Sequence, residues 1–198
     1  MKRLFSLFLA IFFIAGTLSA CTPAGHPNIL LFTRRLADIS GEAVELSDYM
    51  IIDGKYKLLF EKESFPVLLT AEENEKGEIV KVHLSLSKVD ENGKAKVPTD
   101  IETQFYKEKT AELLYAFTLL DEAVCRETAE KILPLKSDDF LKTGELTLDI
   151  ENFHLVYYSN KICCRFSVTN TFLEKTEATE KPSSRPFYEV TANVSQDS

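Results

Sequence analysis

Hydrophobic positions along the first half of the chain fall into two periods. Over 28–39, Ile29, Leu30, Phe32, Leu36 and Ile39 recur at helical spacing, and Gly41 supplies a terminator. That pattern predicts a short amphipathic helix. From Ala43 the period becomes two. Val44 and Leu46 alternate, Ser47-Asp48 forms a turn, and 49–52 is apolar. Asp53-Gly54 is a type I′ hairpin signal, because both residues tolerate positive φ. Residues 55–62 place Tyr56, Leu58 and Phe60 on one face. A strand follows over 65–71, with Pro66 at its start, where a missing amide is tolerated. The charged stretch 72–77 is a loop. In 78–88, Val80, Val82, Leu84 and Leu86 face inward, while Lys81, His83, Ser85 and Ser87 face out. One polar face is the mark of an antiparallel sheet wetted on one side.

The second half repeats the alternation. Residues 90–100 are polar, with Asn92-Gly93 and Pro98, and form a connection. Asp100 is the expected N-cap of a long helix. Tyr106, Leu113, Phe117, Leu120 and Val124 line its apolar side, with Glu108, Lys109, Glu112 and Glu122 on the other. A second helix is expected over 127–133, ending before Pro134. After Gly144 the period of two returns. Leu146 and Leu148 alternate, Glu151-Asn152 turns, 153–158 is a strand, and Ser159-Asn160 makes a two-residue turn. Residues 161–169 place Ile162, Cys164, Phe166 and Val168 on one face. The charged stretch 174–185 reads as a loop, and Tyr188, Val190, Ala192 and Val194 mark a last strand.

These elements make one α+β domain over 28–198, with antiparallel sheet packed against helices. The two β regions share a plan: a Gly-Glu pair (Gly41-Glu42 and Gly144-Glu145), a short apolar strand, a turn, a lysine and an alternating strand. A tandem α–β4 repeat over 28–90 and 100–194 is one reading of this; chance likeness between two meanders is the other. In layout only, with no motif matched, the plan is similar to tandem beta-lactamase-inhibitor-protein-like modules.

Residues 1–20 stand apart. Lys2 and Arg3 precede an apolar run over 4–14 broken only by Ser6, and small residues lead to Leu18-Ser19-Ala20-Cys21. This is the build of a secretory signal peptide, too short for a membrane-spanning helix. The closing tetrad resembles the lipobox of bacterial lipoproteins. The resemblance covers residues 2–21 and implies a diacylglyceryl, palmitate-type modification of Cys21, cleavage before it, and a lipid-anchored place in the cell envelope outside the cytoplasm. Thr22 after the cysteine implies the outer membrane in a diderm organism. Residues 21–27, with Pro23, Gly25 and Pro27, form a lipidated tether about 20 Å long when extended.

Composition narrows the function. The 198 residues are 44% hydrophobic and 27% charged, an ordinary globular balance. The formal charge is −8, and removing residues 1–20 takes Lys2 and Arg3 with it to leave −10. That excess of acid argues against nucleic acid as a partner. The cysteines left for the domain are Cys125, Cys163 and Cys164. Cys164 shares the inward strand face, so an exported chain is expected to hold either a Cys125–Cys164 disulfide or three reduced thiols. No CxxC and no close histidine pair suggests a metal site. His26 is in the tether, His83 is on the polar strand face, and His154 alternates with Val156 and Tyr158; no serine or cysteine has a nucleophile context. Asp121-Glu122, Asp138-Asp139 and 72–75 read as solvated carboxylates. No catalytic residue, metal or cofactor is expected. The sequence therefore points to a non-catalytic, protein-binding envelope lipoprotein, held at the membrane by its lipid and engaging another envelope protein. The alternative is a lipid or small-ligand carrier with an apolar cavity between sheet and helix.

Overall fold

The structure is a computed structural model that describes residues 27–62, 65–89, 93–133 and 142–180, with side chains to residue 175. Helix α1 (Ile29–Ser40) opens at Asn28, whose side chain accepts the Leu31 amide at 2.9 Å. It closes at Gly41, at φ 68° in the left-handed region that glycine enters without steric cost. Ile29, Phe32 and Leu36 are its buried stripe. The segment expected to begin β structure at Ala43 instead forms a 3-10 turn (Leu46–Asp48), with the Asp48 carboxylate accepting the Glu45 amide.

Four strands follow: β1 (Met50–Ile52), β2 (Lys55–Lys62), β3 (Phe65–Glu73) and β4 (Ile79–Ser87). Asp53 and Gly54 both take positive φ, 54° and 71°, the two-residue I′ turn that the dipeptide predicts. Val82, Leu84 and Leu86 are buried as expected, but Val80 is not. The β3–β4 register shifts between Glu72 and Glu73, and Ile79 takes the inward place instead. A bulge inserts one residue into one strand and so reverses the facing beyond it.

Helix α2 (Asp100–Thr118) is capped by Thr99, not Asp100. The Thr99 hydroxyl accepts the Glu102 amide at 3.2 Å, and Glu102 accepts the Thr99 amide at 2.7 Å. This reciprocal pair satisfies two helix-end donors, which Asp100 one residue later does not. The helix stops six residues short of Val124, where Leu119 turns left-handed at φ 64°. Asp121 then caps α3 (Glu122–Ile132) through the Ala123 amide at 2.8 Å. The buried threonines Thr33, Thr110 and Thr118 each donate to the carbonyl four residues back, so apolar helix faces carry hydroxyls without unmet bonds.

Strands β5 (Gly144–Ile150), β6 (Phe153–Ser159) and β7 (Cys163–Asn170) lead into α4 (Thr171–Glu180). The stretch from 174, expected to be a loop, is thus helical as far as 180; the Asn170 side chain accepts the Phe172 and Leu173 amides and starts the helix. The β6–β7 connection is also longer than the expected two residues. Asn160 accepts the amides of Ile162 and Cys163, both at 2.8 Å, which leaves Ile162 in the turn and exposed instead of on the inward face. The last expected strand, 188–194, lies outside the described residues.

The seven strands among the described residues join one antiparallel sheet, in the order β1-β2-β3-β4-β7-β6-β5. The two β regions therefore meet through β4 and β7. The internal repeat is not confirmed. The first hairpin, β1–β2, lies at the outer edge with a three-residue strand, while β6–β7 lies inside the sheet. One sheet face packs on α1, α2 and α3. Phe32, Leu36, Phe65, Leu84, Tyr106, Leu113, Phe117 and Phe166 fill the space between, each at most 2% exposed.

Candidate functional site

Strand pairing lines up the residues on the sheet face opposite α1–α3. One cross-strand row runs Leu59, Leu68, Ser85, Arg165, Tyr158 and Glu145, and the next runs Lys57, Thr70, His83, Ser167, Val156 and Thr147. Leu59, Arg165, Tyr158 and Glu145 are exposed. Met50 and Ile52, paired with Lys57 and Lys55, carry apolar surface to the β1 edge.

His83 sits near the middle of this face. Its Nδ1 is buried, has no hydrogen-bond partner, and lies 4.0 Å from Glu72 Oε1, which also pairs with Lys55 at 2.9 Å. Burial first, then the positive charges of Arg165, Lys81 and Lys55, pull the His83 pKa down to about 4 against the opposing pull of Glu72. A neutral imidazole thus stands among three cations in a chain that is acidic as a whole. His154 is on the same face and pairs with Asp149 at 2.6 Å.

A second cluster lies on the helix side, at the β5–β6 end of the sheet. Lys88 is 2% exposed, and its Nζ donates to Ser159 Oγ at 2.9 Å and to the Asn160 carbonyl at 2.6 Å. Ser159 in turn donates to the Lys142 carbonyl at 2.7 Å. Among the described residues no carboxylate pairs with Lys88; its ionisable neighbours are the thiols of Cys164 and Cys163. Desolvation lowers the Lys88 pKa. Beside the cluster is a pocket of about 270 Å³ lined by Lys142, Thr143, Gly144, Glu145, Leu146, Tyr157 and Ser159. The sequence reading missed Lys88, although a signal was present. Lys88 is in phase with Val82, Leu84 and Leu86, so strict alternation already aims it inward.

A second buried cation, Lys109, pairs with Glu42 at 2.8 Å and Glu112 at 3.0 Å, with its ammonium over the rings of Phe60 and Phe105. It ties the loop after α1 to α2 and reads as structural.

Cys125 on α3 and Cys164 on β7, the residues considered for a disulfide, carry free thiols, as does Cys163. Cys125 Sγ points to the Leu120 carbonyl at 3.9 Å, while Cys164 lies among Tyr106, Tyr157 and Lys88. Burial raises their pKa values to about 11 and about 12, so neither is a thiolate at neutral pH. Cys21, the residue expected to carry lipid, lies outside the described residues, as do residues 1–20 and 22–26. Asp121 serves as a helix cap, and Glu72 pairs with Lys55; Asp138-Asp139 lie outside the described residues. Among the described residues no group of three metal-ligating side chains occurs, and no helix is long and apolar enough to cross a membrane.

Comparison with protein-family models, with curated proteins and with solved structures gives no match for this chain.

Proposed function

We propose that this protein is a bacterial envelope lipoprotein, anchored through an acylated Cys21, whose α+β domain is a non-catalytic module for binding another envelope protein. The reading of the anchor rests on the Leu18–Cys21 tetrad after its apolar run. The reading of the module rests on one observation: the sheet face opposite α1–α3 exposes Leu59, Arg165 and Tyr158 in one cross-strand row, with half-buried Leu68 and Ser85 between Leu59 and Arg165, and exposes Met50 and Ile52 in neighbouring rows at the edge. Tyrosine, arginine and methionine are the residue types enriched at protein interfaces, and the sheet holds their backbones in fixed register, so no main-chain ordering is needed on docking. The carrier alternative requires an apolar cavity between sheet and helices; the middle of that layer is occupied by the buried side chains of Phe32, Tyr106, Phe117 and Phe166.

A photo-crosslinking amino acid placed at Leu59 or Tyr158 in cells tests the proposal, with the same probe at exposed Lys131 on α3 as control. A discrete protein adduct from the sheet-face positions and none from position 131 is expected. Equal labelling at all three positions, or none at the sheet face, overturns the reading.

A further inference from the structure

Lys88 poses a chemical question that the interaction reading leaves open. A buried ammonium without a counter-ion is costly, and proteins normally pair such groups or let them lose their proton. Among the described residues Lys88 has two neutral acceptors for three N–H bonds. Its partner Ser159 is also a wall of the 270 Å³ pocket, as is Lys142, whose carbonyl takes the Ser159 proton. The ammonium therefore stands one hydroxyl behind the pocket wall. The other walls are largely apolar: the Tyr157 ring, the Leu146 side chain and the Thr143–Gly144 stretch. Leu146 is 52% exposed, so apolar surface at the mouth is left open to solvent. Glu145 is the one acid in the lining. It pairs with Tyr158 across the strands and belongs to the opposite sheet face, so it does not counter the charge of Lys88.

We infer that this pocket is a binding site for a small amphiphilic carboxylate, with the apolar body against Tyr157 and Leu146 and the carboxylate accepting from the Ser159 hydroxyl, which turns to it from the Lys142 carbonyl while still accepting from Lys88. The volume lies just below the roughly 300–1,000 Å³ of drug-sized sites, which limits the ligand to a fragment-sized acid. The site is on the helix side of the sheet and does not rest on the protein-binding role of the other face.

The test compares benzoate with benzamide, its neutral isostere, by calorimetric titration of the full-length protein. Benzoate is expected to bind at least tenfold more tightly. In Lys88→Met the preference falls to about onefold, and in Leu146→Trp, which fills the mouth from an exposed position, both probes weaken. Should Lys88→Met fail to fold, the unmodified protein with ¹⁵N-labelled lysine supplies the readout: the Lys88 Nζ resonance shifts with benzoate and stays put with benzamide. Equal affinities, absence of binding by both probes, a preference that survives Lys88→Met, or an unmoved Lys88 resonance overturns the inference.

Discussion

His83 shows how one side chain turns burial into a pH dependence. Folding holds its pKa at about 4, below the ordinary value of 6.5. The unfolded chain therefore takes up a proton first as pH falls. Stability from the neutral ring is complete above about pH 6.5 and is lost as pH drops toward 4. The separation corresponds to roughly 3 kcal/mol. Urea unfolding at pH 7 and pH 4.5 should show that extra loss in the native protein and not in His83→Gln, whose carboxylates titrate alike; parallel losses would remove His83 as the cause. Lys109 is the converse case, a buried cation with its anions in place. Lys109→Ala leaves Glu112 half-buried without its partner and should cost about 3 kcal/mol in the same assay, more than Lys109→Met, which keeps the stem against Phe60 and Phe105. The thiols provide a third check. With pKa values pushed up to about 11 and about 12, Cys125 and Cys164 should resist iodoacetamide at pH 8 in the folded protein and react once it is unfolded.

At the scale of elements, helix ends decide where the long middle segment breaks. Apolar spacing alone carries one helix to Val124, because Leu120 and Val124 stay in phase with Phe117. The break comes from Leu119 in the left-handed region and from the Asp121 cap, both local events beneath an unbroken pattern. Thr99 and Asp100 separate in the same way. Thr99→Ala removes a reciprocal cap and should lower stability by about 1 kcal/mol in thermal unfolding, whereas Asp100→Ala, which keeps both capping bonds, should cost well under half of that. A larger loss from Asp100→Ala would return the cap to the position first expected. The Asp53-Gly54 turn needed no correction, since a I′ hairpin requires positive φ at two successive residues and few dipeptides supply it.

For the molecule as a whole, the proposed anchor is tested apart from the domain. Cys21→Ala should move the protein from the membrane fraction to the soluble fraction, or leave it uncleaved, with the far-ultraviolet dichroism of the sheet and helices unchanged; mature membrane material with an unmodified Cys21 thiol would refute lipidation. The sequence by itself determined the elements and their faces: the α1 stripe of Phe32 and Leu36, the alternation of Val82, Leu84 and Leu86, the inward Cys164 and Phe166, and hence the α+β class. These follow from local periodicity, which short-range sterics and burial impose residue by residue. Tertiary structure alone decided what pairs with what. The junction of β4 with β7 makes one seven-stranded sheet of two meanders, the bulge at Glu72/Glu73 exchanges Val80 for Ile79, and β6 ends where Ser159 meets Lys88, a residue 71 positions earlier in the chain. Alternation states which side of a strand is apolar but not which strand lies beside it. Edge pairing, bulges and the company of a buried charge are settled only when distant segments compete for the same backbone bonds and the same space.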